Sequence, residues 1–141
     1  MPRVYKTFDD QVNSDFGSFI RERRLSMKLG QNLVANLCPM TPGYLNDIEH
    51  RNRPSPSEEI LEGLRRALEL NKKQEKIMYY DLAAKTRNSI PKDVSDFLIK
   101  NPNFIDLIRK IIYKEVIGES AVKETIQAIE ESYKVPFEKL D

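Results

Sequence analysis

The chain has 141 residues, 40% apolar and 32% charged, with 23 basic against 22 acidic side chains. That composition belongs to a folded domain rather than a disordered tail, and no apolar run approaches the roughly 18–20 residues needed to cross a bilayer. One cysteine and one histidine exclude an internal disulfide and leave a tetrahedral metal site short of ligands.

Residues 1–14 begin without the apolar stretch of a secretory leader and read as an N-terminal arm on a cytoplasmic protein. Phe16, Phe19, Ile20 and Met27 predict a first helix over about Asp15–Met27. Gly30 starts a second, carrying Leu33, Val34, Ala35 and Leu37. After Cys38-Pro39-Met40, Thr41 as N-cap and Pro42 at the first helical position open a third helix, which turns Leu45 and Ile48 inward and ends near His50.

Arg51–Ser57 is rich in turn formers. Ser57 is expected to cap a helix over about Glu58–Leu68, with Leu61, Leu64 and Leu68 on one face. Ile77, Met78, Leu82 and Ala83 mark the next, over about Lys72–Lys85. Pro91 precedes a helix over about Lys92–Lys100 with Val94, Phe97 and Leu98 facing in, and Asn101-Pro102 restarts the chain toward Ile117. Gly118 then breaks the helix, and Ser120 can cap a last one whose seam is Val122, Ile126, Ile129 and Tyr133. No segment alternates with period two, so the fold expectation is all-α. The division expected is an arm over 1–14, a domain over 15–70 and a helical extension over 71–141.

The unit Gln31–Glu49, two short helices with a tight link, can place its second helix in a DNA major groove. An ordinary helical hairpin is the alternative. Charge gives limited help, because residues 1–70 hold ten basic and ten acidic side chains, net +3 falls on 71–100 and net −2 on 101–141. The groups Arg21/Arg23/Arg24 and Arg51/Arg53 are local concentrations able to track phosphates.

F-G-S-F-I-R-E-R-R, the Gln31–Glu49 unit and R-P-S-P-S-E-E-I-L-E-G-L-R-R-A-L-E-L together resemble, in order and spacing, the Cro/C1-type (XRE) helix-turn-helix regulators. The likeness covers about residues 16–70 and continues loosely to about Arg109, as in small Gram-positive or phage members; residues 110–141 match nothing in it. It implies a lambda-repressor-like bundle in which Arg24 and Glu49 form an internal ion pair and Gln31 contacts a phosphate and helps orient the third helix. It also implies that Thr41, Pro42, Gly43, Tyr44, Asn46 and Asp47 lie on or beside the groove-facing positions, with Arg51, Asn52 and Arg53 contacting phosphates.

The chain departs from the family pattern at several of these positions. Pro42 and Gly43 carry no side chain that can hydrogen-bond a base edge, which shifts readout to Thr41, Tyr44, Asn46 and Asp47. Asn46 can pair with adenine and Asp47 can accept from cytosine; alternatively Asp47 pairs with Arg51 at i+4. Pro39 replaces the usual glycine, so the turn must avoid positive φ.

Cys38 is expected to be a buried free thiol, and His50 has no neighbouring nucleophile. No phosphate loop, zinc-protease helix or nucleophile elbow occurs; the chain is not expected to be an enzyme or to need a cofactor or metal. The functional expectation is a sequence-specific repressor. It would bind double-stranded DNA as a homodimer through the Val122/Ile126/Ile129/Tyr133 seam, on a palindromic operator. The alternative is a helix-turn-helix interaction protein, an antitoxin or a phage-encoded inhibitor of a host defence enzyme, with 110–141 binding a protein partner.

Overall fold

The computed structural model describes residues 15–113 together with 120, 123, 124, 127, 128 and 131. Among them are α1 (Phe16–Ser26), α2 (Gln31–Leu37), α3 (Pro42–Glu49), α4 (Glu58–Ala67), α5 (Lys73–Arg87), α6 (Lys92–Lys100) and α7 (Pro102–Tyr113), and no strand. The fold is all-α. The 1–14 arm, Gly118 and the seam residues Val122, Ile126, Ile129 and Tyr133 lie outside the described residues.

Two compact units divide between Asp93 and Val94, not near residue 70. The reason is α5. Tyr79, fully buried, tilts against the Phe16 ring at 5.3 Å between centroids and donates its hydroxyl to the Leu61 carbonyl at 2.7 Å. Leu82 and Ala83 are buried with it. Helix α5 thus completes the core of α1–α4 instead of opening an extension. The periodicity of Ile77, Met78, Leu82 and Ala83 pointed to an apolar seam but did not reveal that the adjacent Tyr79 and Tyr80 are buried with it.

Within the first unit, Ile20, Val34, Leu45, Ile48 and Leu64 form the centre of the core. Helix α1 crosses the end of α3 at Gly17, where an added Cβ would stand 2.4 Å from the Ile48 carbonyl oxygen and 2.8 Å from that of Glu49. Only the missing side chain allows the two backbones so close.

Among the described residues, four helices end on a left-handed residue, and none is glycine: Lys28, Arg51, Glu69 and Asn88. After α1, Leu29 N–H donates to the Arg24 carbonyl and Lys28 N–H to that of Leu25; the ends of α3, α4 and α5 repeat the pattern, the double bond of a Schellman motif. At these four ends no glycine marks the stop in the sequence. At the other end of α4, Ser57 takes the N-cap position but makes no side-chain capping bond.

The second unit contains α7 and most of α6. Neither helix buries a described residue, so Val94, Phe97 and Leu98 do not face a core. Phe97 and Phe104 instead meet edge-on at 5.1 Å, and Asn101 Nδ2 caps the Phe97 carbonyl at 2.9 Å.

Candidate nucleic-acid interface

The third helix is fixed from behind by one carboxylate. Glu49, whose side chain is 0% exposed, accepts from Arg24 Nε at 2.6 Å, Arg24 Nη2 at 3.1 Å and Gln31 Nε2 at 2.6 Å. Arg24 Nη1 donates in addition to the Leu29 carbonyl at 2.8 Å. One buried acid thereby joins α1, the start of α2 and the last turn of α3. Both Glu49 oxygens and all three Arg24 nitrogens are engaged in charge-assisted bonds, which is the condition for holding a buried ion pair.

The link between α2 and α3 meets the constraint set by Pro39. Helix α2 stops at Leu37, Cys38 is extended at φ −128° and ψ 149°, and Met40 N–H reaches the Cys38 carbonyl at 2.6 Å. No residue from 38 to 40 takes positive φ. Thr41 then caps α3 by accepting from the Tyr44 N–H at 3.1 Å.

With Leu45, Ile48 and Glu49 buried, Thr41, Pro42 and Gly43 are exposed and Asn46 and Asp47 half-buried, while Tyr44, also half-buried, packs partly against the core. Gln31 is turned toward α3: its amide also donates to Asn46 Oδ1 at 3.1 Å. That bond ties the Asn46 amide oxygen to the start of α2. Arg51, Asn52 and Arg53 follow at the open end of α3 and are exposed.

The ion pairs differ from the i+4 alternative for Asp47. Arg51 instead reaches Asp15, the N-cap of α1, at 3.4 Å, and Asp47 takes Arg53 at 3.6 Å. The left-handed turn at Arg51, φ 65°, swings its side chain off the α3 axis and brings Arg53 back over the helix. The Arg53 guanidinium carbon stands 5.4 Å from the Tyr44 ring centroid. The Arg21/Arg23/Arg24 group also disperses. Arg24 is buried, and Arg23 caps the end of α4 through the Leu68 and Glu69 carbonyls; of the three only Arg21 is classed as exposed.

The sequence did not reveal how the loop after α3 is anchored. Ser55, 2% exposed, receives Arg87 Nε on its carbonyl at 2.7 Å, donates its N–H to Thr86 Oγ1 at 2.9 Å and its hydroxyl to the Ala83 carbonyl at 3.0 Å. Helix α5 thus pins the segment that presents Arg51 and Arg53. A second polar group, Glu62 with Arg65 and Tyr80, ties α4 to α5: Tyr80 donates to Glu62 Oε2 at 2.6 Å and Arg65 Nε to Oε1 at 3.0 Å. No sequence motif marks either set, because their members lie up to 32 residues apart.

Cys38 is buried, as its apolar position after the second helix suggested, and burial pushes its thiol above the ordinary value. Among the described residues no group of three His, Cys, Asp or Glu side chains could hold a metal ion, and no helix is long and apolar enough to cross a membrane. In comparisons with known proteins, no family model, no curated protein and no solved structure matches this chain.

Proposed function

We propose that this chain is a sequence-specific DNA-binding regulator of the Cro/C1 type, a cytoplasmic repressor acting as a homodimer on a palindromic site. The observation that carries the reading is the Glu49 hub, which fixes α3 against α1 and α2 through its inner face. The other face is left to Thr41, Asn46 and Asp47, with Tyr44 at its edge, packed partly against the core, and Arg51 and Arg53 at its end. A rigid helix with polar side chains outward and arginines beside it has the parts needed to read base edges while gripping phosphates. Asn46 is the base reader in this scheme, since Gln31 already orients its amide.

The test is selection of duplexes from a random-sequence pool, followed by a salt titration on the winner and on a scrambled duplex. A steep fall in affinity with salt, about −0.9 in log–log slope per phosphate contact, with tighter binding to the selected duplex, supports the reading. Failure to enrich any sequence removes it. Asn46→Ala is expected to abolish the difference between the two duplexes.

The half-exposed apolar side chains of α6 and α7, Phe97, Phe104, Leu107 and Ile112 among them, favour a second reading in which the extension also binds a protein partner. Antitoxins and inhibitors of defence enzymes are of this class. Co-purification of a stoichiometric second protein from the native host, released by Phe104→Asp, would support it.

A further inference from the structure

The two arginines best placed for phosphate contact do not point freely into solvent. Arg51 Nη1 lies 3.4 Å from Asp15 Oδ2, and Arg53 Nε lies 3.6 Å from Asp47 Oδ2. Both arginine side chains stay well exposed, 69% and 59%, and each pair therefore sits in high dielectric. Together with Asp15, the two arginines line a cleft of about 330 Å³, ample for a phosphate group. Asp15 takes a hydrogen bond from Arg51 that a phosphate oxygen would otherwise accept, and Asp47 pairs with Arg53 by charge at 3.6 Å, just beyond hydrogen-bond reach. The chemistry is equivalent, since both are anionic oxygen acceptors for the same donors.

We infer that Asp15 and Asp47 are positioning residues that hold Arg51 and Arg53 in the unbound protein and lower the sequence-independent part of its DNA affinity. This rests on the DNA-binding reading above. A phosphate must compete with a carboxylate for the charge of each arginine. Wrong sequences offer phosphates alone, so they gain least from the exchange; a correct site adds base contacts from α3. Asp15 is suited to the role because its other bonds, to Ser18 N–H at 2.7 Å and Ser18 Oγ at 2.8 Å, keep the carboxylate fixed at the α1 N-cap. Asp47 holds Arg53 beside Tyr44, which preserves the guanidinium's position without leaving it available.

The experiment uses the full chain, a duplex selected by the wild-type protein from a random pool, and a scrambled duplex of the same composition. Asp47→Asn and Asp15→Asn are measured alone and combined with Arg53→Gln and Arg51→Gln respectively; asparagine keeps the shape and caps a helix as well as aspartate. Each single Asp→Asn variant is expected to bind the scrambled duplex about two- to five-fold more tightly, the range of a surface ion pair. The gain should vanish when the paired arginine is already glutamine. A gain that persists without the arginine means general charge repulsion and overturns the inference, as does no gain. Loss of affinity confined to the selected duplex in Asp47→Asn makes Asp47 a base reader and equally overturns it. If the wild-type protein enriches no duplex, the DNA-binding reading falls and the inference with it, a result separate from the other outcomes.

Discussion

Arg24 and Glu49, 25 residues apart, meet in a two-bond ion pair beneath α3, with Nε–Oε1 2.6 Å and Nη2–Oε2 3.1 Å. Removing either partner strands a buried charge. Arg24→Ala and Glu49→Ala are each expected to lower stability by about 3–5 kcal/mol, seen as a lower urea midpoint. Arg24→Met combined with Glu49→Leu should recover part of that loss, because neither charge then remains to be solvated.

Gly17 lets α1 touch the backbone of α3, and an alanine Cβ there would fall 2.4 Å from the Ile48 carbonyl oxygen. Backbone cannot step aside as a flexible side chain can. Gly17→Ala should cost about 1–3 kcal/mol through overpacking, whereas Gly43→Ala, whose Cβ meets nothing within 4 Å, should leave the urea midpoint unchanged or raise it.

Arg51 sits at φ 65° in the Schellman turn that closes α3, a conformation costing a non-glycine residue about 1–2 kcal/mol. Its exposed bond to Asp15 offsets at most about 1 kcal/mol. Arg51→Gly should therefore raise stability by about 0.5–1 kcal/mol while weakening DNA binding. Arg51→Ala should weaken binding equally without the gain in melting temperature, since alanine keeps the strain.

Stability should fall at both ends of the pH scale through one cluster. Burial pushes the Glu62 carboxyl up, but hydrogen bonds from Arg65 and Tyr80 outweigh it and hold the group below its ordinary 4.5. A depressed folded value stabilises above the ordinary value, and the contribution is lost as pH drops from 4.5 through the folded value. Burial and the Glu62 carboxylate raise Tyr80 above 10.0, so its contribution is complete below pH 10 and shrinks as pH climbs beyond. Tyr80→Phe should move the acid midpoint of unfolding upward and reduce the alkaline loss, both read by circular dichroism across pH.

Cys38 donates its thiol to the Val34 carbonyl at 3.0 Å and packs under Gly63, whose Cβ would lie 3.0 Å away. With its thiol buried and its pKa raised, it should react with an aromatic disulfide reagent only on the timescale of unfolding. Fast native-state labelling would contradict this burial.

Helix positions were legible because apolar spacing and N-terminal signals are local. Thr41-Pro42 opens α3, and the Lys92–Lys100 helix falls at its expected ends. The expected ends at Met27, His50 and Leu68 are the observed C-caps of α1, α3 and α4, although no glycine marks the left-handed turns that follow, and only α5 runs two residues past its expected end, to Arg87. The exposed Thr41, Pro42 and Gly43 and the Arg24–Glu49 pair could be named from the sequence, whereas the packing of Tyr44 against the core could not.

Sequence by itself determined the all-α class, the order of the helices and which side of α3 is apolar, all consequences of spacing within one or two turns. Tertiary structure alone decided that α5 belongs to the first core, that Ser55 anchors the loop through Ala83, Thr86 and Arg87, and that Arg51 and Arg53 pair with Asp15 and Asp47. These contacts depend on how the chain turns after α3 and on where α5 returns. An ion pair is set by distance in space, and a left-handed residue at position 51 redirects both arginines in a way no i+4 rule describes.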